Sequence, residues 1–323
     1  MRVALFALTL LGVANRAAPG TPEPPAPPRD DATRTVATDA PAATDAATPL
    51  RIAVIGASAS AGFGCVLRER RDDGEWSASF DLAEMLKLAC PDDAIVTSDL
   101  ATGNFFLAPL RIGANAVERA VRFRADCVVA LDFLFWFVYG VEGPDGKLVE
   151  REEDRLAKLE RGLEMLASID APLLLGDLPD MRAAQGRMLG ARQVPAPETL
   201  EAANARLAAW ASTRPNVRLV PLAAMQRDLA SGEGLEIAGA RLRPTKESPL
   251  LQRDALHPAP LGLAGLACDL RPRIDEACGI DGDCPPDPVA TFERARMTLR
   301  RPRSGARDER DESAPERPEG AAP

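Results

Sequence analysis

Five short runs of apolar, largely branched residues punctuate the middle of this chain: Arg51–Gly56, Ala94–Ser98, Cys127–Asp132, Pro172–Gly176 and Val217–Pro221. Each has the length of a strand, and none alternates cleanly between apolar and polar. Such runs suit strands buried on both faces, which occur in parallel sheets covered by helices. Helical patterns lie between them. Leu156, Leu159, Leu163 and Leu166 recur at helical spacing among charged residues, giving one apolar stripe on a solvated helix. Phe80, Leu82, Ala83, Leu86 and Leu88 sit in a second such segment, and Leu200 to Trp210 form a third. Strands alternating with helices imply right-handed crossovers and an open, doubly wound α/β sheet of five parallel strands.

The ends of the chain read differently. Arg2 precedes an almost wholly apolar run from Val3 to Val13, and Gly12-Val13-Ala14 offers a small-x-small cleavage pattern. The run is too short to span a bilayer as a helix, so residues 1–17 read as a secretory signal peptide and the protein as secreted or periplasmic. The competing reading is an uncleaved membrane anchor. No cysteine lies near the cleavage pattern, which speaks against a lipid-modified lipoprotein. Residues 18–49 are rich in Pro, Ala, Thr and Asp, and cannot bury enough apolar surface to offset the entropy of ordering; they read as a flexible linker. The mixed-charge tail from about residue 300 to 323 reads the same way. The expected organisation is therefore signal peptide, linker, one folded domain over 50–275, and a cysteine-containing segment with a charged tail over 276–323. The net charge of −9 argues against a nucleic-acid partner, which calls for a basic patch.

Six cysteines are present: Cys65, Cys90, Cys127, Cys268, Cys278 and Cys284. An even count in an exported chain permits disulfides, but six allow about 15 pairings. Cys278 and Cys284 flank a turn-rich segment that could close a small loop, while Cys127 opens a buried strand and reads as a free core thiol. There is no CxxC pair, and a single histidine makes no cluster, so no zinc ligand set is visible.

In an open parallel sheet, reactive side chains gather beyond the carboxyl ends of the strands. The first run ends in Gly56-Ala57-Ser58-Ala59-Ser60-Ala61-Gly62-Phe63-Gly64, where small residues allow a sharp turn and close approach of a substrate to backbone N–H groups. Two functions compete for this loop. A phosphate cradle would call for G-x-G-x-x-G, which is missing. The alternative makes Ser58 a nucleophile, which needs a base to take its proton. The only histidine, His257, lies in Gln252-Arg253-Asp254-Ala255-Leu256-His257-Pro258. An acid three residues before the imidazole can hold one ring nitrogen and leave the other free to accept a proton. The plain alternative is a surface histidine beside an ordinary loop charge.

Gly56-x-Ser58-x-Ser60-x-Gly62 on the first strand, with Asp254-x-x-His257-Pro258 near the end, resembles the SGNH/GDSL hydrolase family over Leu50 to Asp275. The resemblance implies a flavodoxin-like three-layer α/β/α fold with a five-stranded parallel sheet. It also implies Ser58 as nucleophile, His257 as base and Asp254 as the acid that orients it. Ala57 stands where the family shows Asp.

The family draws its oxyanion hole from the nucleophile's N–H, a glycine after the second strand and an asparagine after the third. Gly103 in Thr102-Gly103-Asn104 matches the glycine, and Asp132 occupies the asparagine position. An ionised carboxylate repels an oxyanion. Either Asp132 is protonated, or Asn104 or a backbone amide replaces it, or the enzyme is impaired. Phe133-Leu134-Phe135-Trp136-Phe137-Val138-Tyr139 concentrates aromatics in a chain with only 4% of them. The cluster either packs under the sheet or lines an acyl pocket.

The expected activity is hydrolysis of carboxylic esters through an acyl-serine, with no metal or organic cofactor. The expected substrate is a small-molecule, polysaccharide or lipid ester. The alternatives are a degenerate domain that binds a glycan or protein partner, and an acyltransferase using the same three residues.

Overall fold

The computed structural model describes residues 49–91, 95–149, 151–237, 239–282 and 284–300. The expected signal peptide, most of the expected linker and the charged tail past residue 300 lie outside these.

In chain order the elements are β1 (Leu50–Val54), β2 (Val66–Arg71), β3 (Gly74–Ser79), α1 (Leu82–Ala89), β4 (Ile95–Asp99), α2 (Pro109–Phe123) and β5 (Cys127–Ala130). Then come α3 (Phe135–Val138), α4 (Glu152–Leu166), β6 (Leu173–Gly176), α5 (Pro197–Ser212), β7 (Val217–Val220) and α6 (Leu222–Ser231). The last are β8 (Leu235–Ile237), β9 (Ala240–Leu242), α7 (Pro260–Cys278) and α8 (Pro288–Met297). The five apolar runs form one sheet in the order β4-β1-β5-β6-β7. Every neighbouring pair is parallel, as expected.

Alternation along β1 shows why its sequence is apolar throughout. Ala53 and Ile55 face a core shared with α2, α4 and α5 through residues such as Val117, Leu159, Leu163 and Leu207. Ile52 and Val54 point the other way, into a core built with α1, α7 and α8 through Leu82, Leu86, Leu263 and Ala295. Successive strand residues reach opposite faces, so a strand roofed on both sides has no position left for a polar residue. Full burial of such a side chain contributes roughly 1.5–3 kcal/mol.

Strand order reverses at β1, which lies between β4 and β5. The loops leaving the carboxyl ends of these three strands therefore meet at one place. Helix α1 starts beside it with a reciprocal cap: the Asp81 carboxylate accepts from Glu84 N–H at 2.7 Å, and the Glu84 carboxylate accepts from Asp81 N–H at 3.4 Å.

Several expectations are corrected. The boundary at 275 falls inside α7, whose packing continues into α8 through the buried Ile274 and Ala295. Cys284 pairs with Cys90, 194 residues away, rather than with Cys278. Cys127 is a buried free thiol, as expected, and Cys278 forms no disulfide. Two antiparallel hairpins, β2–β3 and β8–β9, stand outside the main sheet and were not expected. Among the described residues, no helix is long and apolar enough to cross a membrane.

Candidate active site

The chain leaves β1 at Val54 and turns tightly. Ala61 N–H donates to Ala57 O at 3.0 Å, Gly62 N–H to Ala59 O at 3.2 Å and Phe63 N–H to Ser58 O at 2.9 Å. Two glycines make the turn possible. A Cβ on Gly56 would sit 2.2 Å from Asp132 Oδ1; one on Gly62, whose φ is +66°, would sit 1.8 Å from Phe80 O.

The Asp132 carboxyl group lies beneath this turn and accepts from four donors. Oδ1 takes Ala57 N–H at 2.9 Å and the Ser60 hydroxyl at 2.6 Å. Oδ2 takes Ala59 N–H at 2.8 Å and Ser60 N–H at 3.2 Å. Asp132 is thus occupied as an acceptor, and it is not the oxyanion donor its place after the third strand implied. It holds the turn that presents Ser58. Within this run of amides, Ser58 N–H donates to no described group, and neither does Gly103 N–H. Asn104 is exposed and its side chain makes no hydrogen bond with the described residues. It also stays off the lining of the cavities around Ser58. Gly103 lines the same recess as Ser58 and His257.

His257 and Asp254 come from the loop before α7. His257 is buried, with Nε2 2.8 Å from Ser58 Oγ and Nδ1 2.7 Å from Asp254 Oδ2. Because a carboxylate can only accept, the Nδ1 proton faces Asp254 and Nε2 is left to accept from the serine. Asp254 Oδ1 accepts from the N–H groups of Leu256 at 2.9 Å and His257 at 3.0 Å. Burial pushes the Asp254 carboxyl up. Hydrogen bonds from the His257 ring and from the His257 and Leu256 amides outweigh it, leaving the group below its usual range.

Sequence reasoning passed over a residue that joins the two loops. Gln252 Nε2 donates to Phe63 O at 2.7 Å and to Pro258 O at 2.9 Å, while Gln252 N–H donates to His257 O at 2.9 Å. Ala255, inside the Asp254–His257 turn, has φ +59°. That left-handed conformation carries a cost for a residue with a Cβ. The ring of Phe63 lies 4.8 Å from that of His257, centroid to centroid. No local pattern marks Gln252, because its partners are carbonyls, which every residue carries.

The aromatic run after Asp132 divides between the core and the cavities near Ser58. Phe133, Phe137 and Tyr139 are buried in the core, and the Tyr139 hydroxyl donates to Pro179 O at 2.7 Å. Phe135 and Trp136 reach the two recesses beside Ser58. Asp177 lies at the carboxyl end of β6, where its Oδ1 accepts from Ala223 N–H at 2.7 Å at the start of α6. Burial raises its carboxyl above the usual range despite that bond. Among the described residues, no group of three or more His, Cys, Asp or Glu is arranged to hold a metal ion.

No family model matches the chain, and no curated protein is similar to it in sequence. Solved structures similar to it include an acetylxylan esterase from Geobacillus stearothermophilus, at 14% identity and TM-score 0.42, covering 72% of this chain and 95% of that one. Another is a GDSL-like lipase from Bacteroides thetaiotaomicron, at 13% identity and TM-score 0.40, covering 70% of this chain and 88% of that one. Similarity at this level transfers no substrate and no residue role. The strand order, the all-parallel sheet and the two helical layers give this chain a flavodoxin-like three-layer α/β/α fold.

Proposed function

We propose that this protein is a serine ester hydrolase that works through an acyl-serine on Ser58. The observation that carries the reading is the continuous line Asp254 Oδ2, His257 Nδ1, His257 Nε2, Ser58 Oγ, with contacts of 2.7 and 2.8 Å. As the Ser58 oxygen bonds to the ester carbonyl carbon, His257 Nε2 takes its proton and Asp254 stabilises the imidazolium. The carbonyl oxygen becomes an oxyanion, to which the N–H groups of Ser58 and Gly103, which donate to no described group, would donate. Collapse breaks the bond to the alcohol, which leaves with the proton from His257. Water then repeats the sequence on the acyl-serine and releases the acid.

The competing reading, a degenerate domain that binds a glycan or protein partner, drew on Ala57 and Asp132. The four hydrogen bonds accepted by Asp132 give that residue a task that serves a working serine. Acyl transfer to another hydroxyl uses the same residues and differs only in what resolves the acyl-serine. We further take the protein to be exported, with the hydrolase domain running from Leu50 through α8. Arg2 and the apolar run Val3 to Val13 support export, as does the Cys90–Cys284 bridge, a bond favoured outside the cytosol.

A fluorophosphonate probe tests the reading directly. Labelling of the wild type, lost in Ser58→Ala and His257→Ala, is the expected result. A folded wild type that takes no label overturns it. Amino-terminal sequencing of protein recovered from the medium or periplasm tests export.

A further inference from the structure

Ser58 and His257 border two recesses of opposite character. One is open: its walls include Phe63 and Phe106, each 47% exposed, and Met188 at 39%. The other runs inward from the same two residues, beneath α6 and the β8–β9 hairpin and against α7. Its walls include Leu131, Leu178, Leu235 and Leu263, all 5% exposed or less, and the half-buried Met225 and Leu229 of α6. The volume of this inner space is about 100 Å³, a small slot among these side chains.

Order of events decides which half of an ester goes where. The alcohol departs first, and water must then reach the acyl carbon from the side the alcohol left. That side has to be open to solvent, while the acyl group stays attached to Ser58 throughout. We infer that the inner slot holds an unbranched, apolar acyl chain of short to medium length, and that the open recess takes the alcohol. The inference rests on the acyl-serine reading above and adds the substrate class.

The walls are mostly leucine and methionine, with Asp177 and Gln226 as polar side chains among them, and this lining favours an apolar chain over the other substrates considered. An acetyl group ends two carbons from Ser58 Oγ and leaves most of the slot empty. A sugar ring would place most of its hydroxyls against leucines, with only the few polar side chains of the lining to receive them. A polymethylene chain meets neither problem. An apolar cavity of roughly 150 Å³ holds the six carbons of a benzene ring, so the present space of about 100 Å³ takes a chain of about four carbons beyond the ester carbonyl. Each buried methylene is worth about a fourfold gain in affinity. The elements that wall the slot on its outer side, α6 and β8–β9, lie beyond the fifth strand of the sheet.

The test is a chain-length series. Aryl esters of acetate, butanoate, hexanoate, octanoate and palmitate are compared by kcat/KM, alongside a second series of acetates with lengthening alcohols. We expect butanoate or hexanoate to exceed acetate by at least tenfold, and the alcohol series to vary by less than threefold. In Met225→Trp and Leu229→Trp the hexanoate-to-acetate ratio falls at least tenfold; being a ratio within one preparation, it does not depend on how much protein folds. Acetate as the best acyl group, a rise confined to the alcohol series, or an unchanged ratio in both variants overturns the inference while leaving the hydrolase reading in place. No fluorophosphonate labelling and no turnover of any ester removes both.

Discussion

The loop that carries Ser58 and the loop that carries His257 face each other across 2.8 Å, yet they are held by opposite means. The serine turn hangs on one carboxyl group from another strand: Asp132 is 72 to 75 residues from the donors it gathers. The histidine loop is held mostly by its own neighbours. Asp254 binds the ring and two amides within three residues, and Gln252 closes the loop on His257 and Pro258. The serine turn therefore draws its support from the sheet, where β1 and β5 are paired strands. The histidine depends on its own loop, which Gln252 ties to the serine side.

Removing the base gives the largest effect. His257→Ala should lower kcat by about 10⁴-fold or more, since the serine loses its proton acceptor; kcat within tenfold of wild type would end the comparison. Next comes Asp254→Asn, with a fall of about 10³- to 10⁴-fold, because an amide no longer stabilises the imidazolium or selects its tautomer. The same variant carries a pH signature. The Asp254 carboxyl sits below its usual range, so its contribution to stability is complete above the unfolded value of about 4 and is lost as pH falls through the lowered folded value. The gap in Tm between wild type and Asp254→Asn should therefore be widest near pH 6 and narrow toward pH 3.

Asp132→Ala attacks the other loop. It strips an acceptor from three amides and a hydroxyl, each costing about 1–3 kcal/mol where water cannot replace it. A displaced serine costs about 100-fold in kcat. A Tm and kcat close to wild type would show that the turn stands without its carboxyl group. Gln252→Leu breaks the tie between the loops and should reduce kcat about tenfold with KM little changed. The smallest effect is expected from Ala255→Gly. Relief of its left-handed backbone should raise stability by up to about 1 kcal/mol, read from denaturant midpoints.

The unequal support of the two loops also explains what could be read early. Asp254 and His257 are three residues apart, so their partnership is visible as spacing. Asp132 is legible only as a position after the third strand, because nothing nearby in the sequence shows which way its carboxyl faces. The strands were legible for a related reason: burial on both faces leaves an apolar run that no neighbour alters. Strand β2, with Arg68, Glu69, Arg70 and Arg71, carries no such mark and is defined only by its partner β3. Helix α2 turns Gly113, Ala116, Val117 and Ala120 inward. Small residues make a weak stripe, although they let the helix lie close to the aromatic core. The pairing of Cys90 with Cys284 joins elements 194 residues apart, and the turn-rich stretch before Cys284 pointed to a nearer partner.

By itself, the order of residues determined a five-stranded parallel sheet, a serine at the tip of its first strand and an Asp–His pair before its last long helix. These rest on periodicity and short spacing, which need no knowledge of distant neighbours. Folding decided that Asp132 accepts rather than donates, that Gln252 bridges the two loops, and that a leucine-lined slot opens beneath α6. Each of those depends on groups from separate strands and helices reaching one point, and only the register of the sheet and the packing of its layers bring them there.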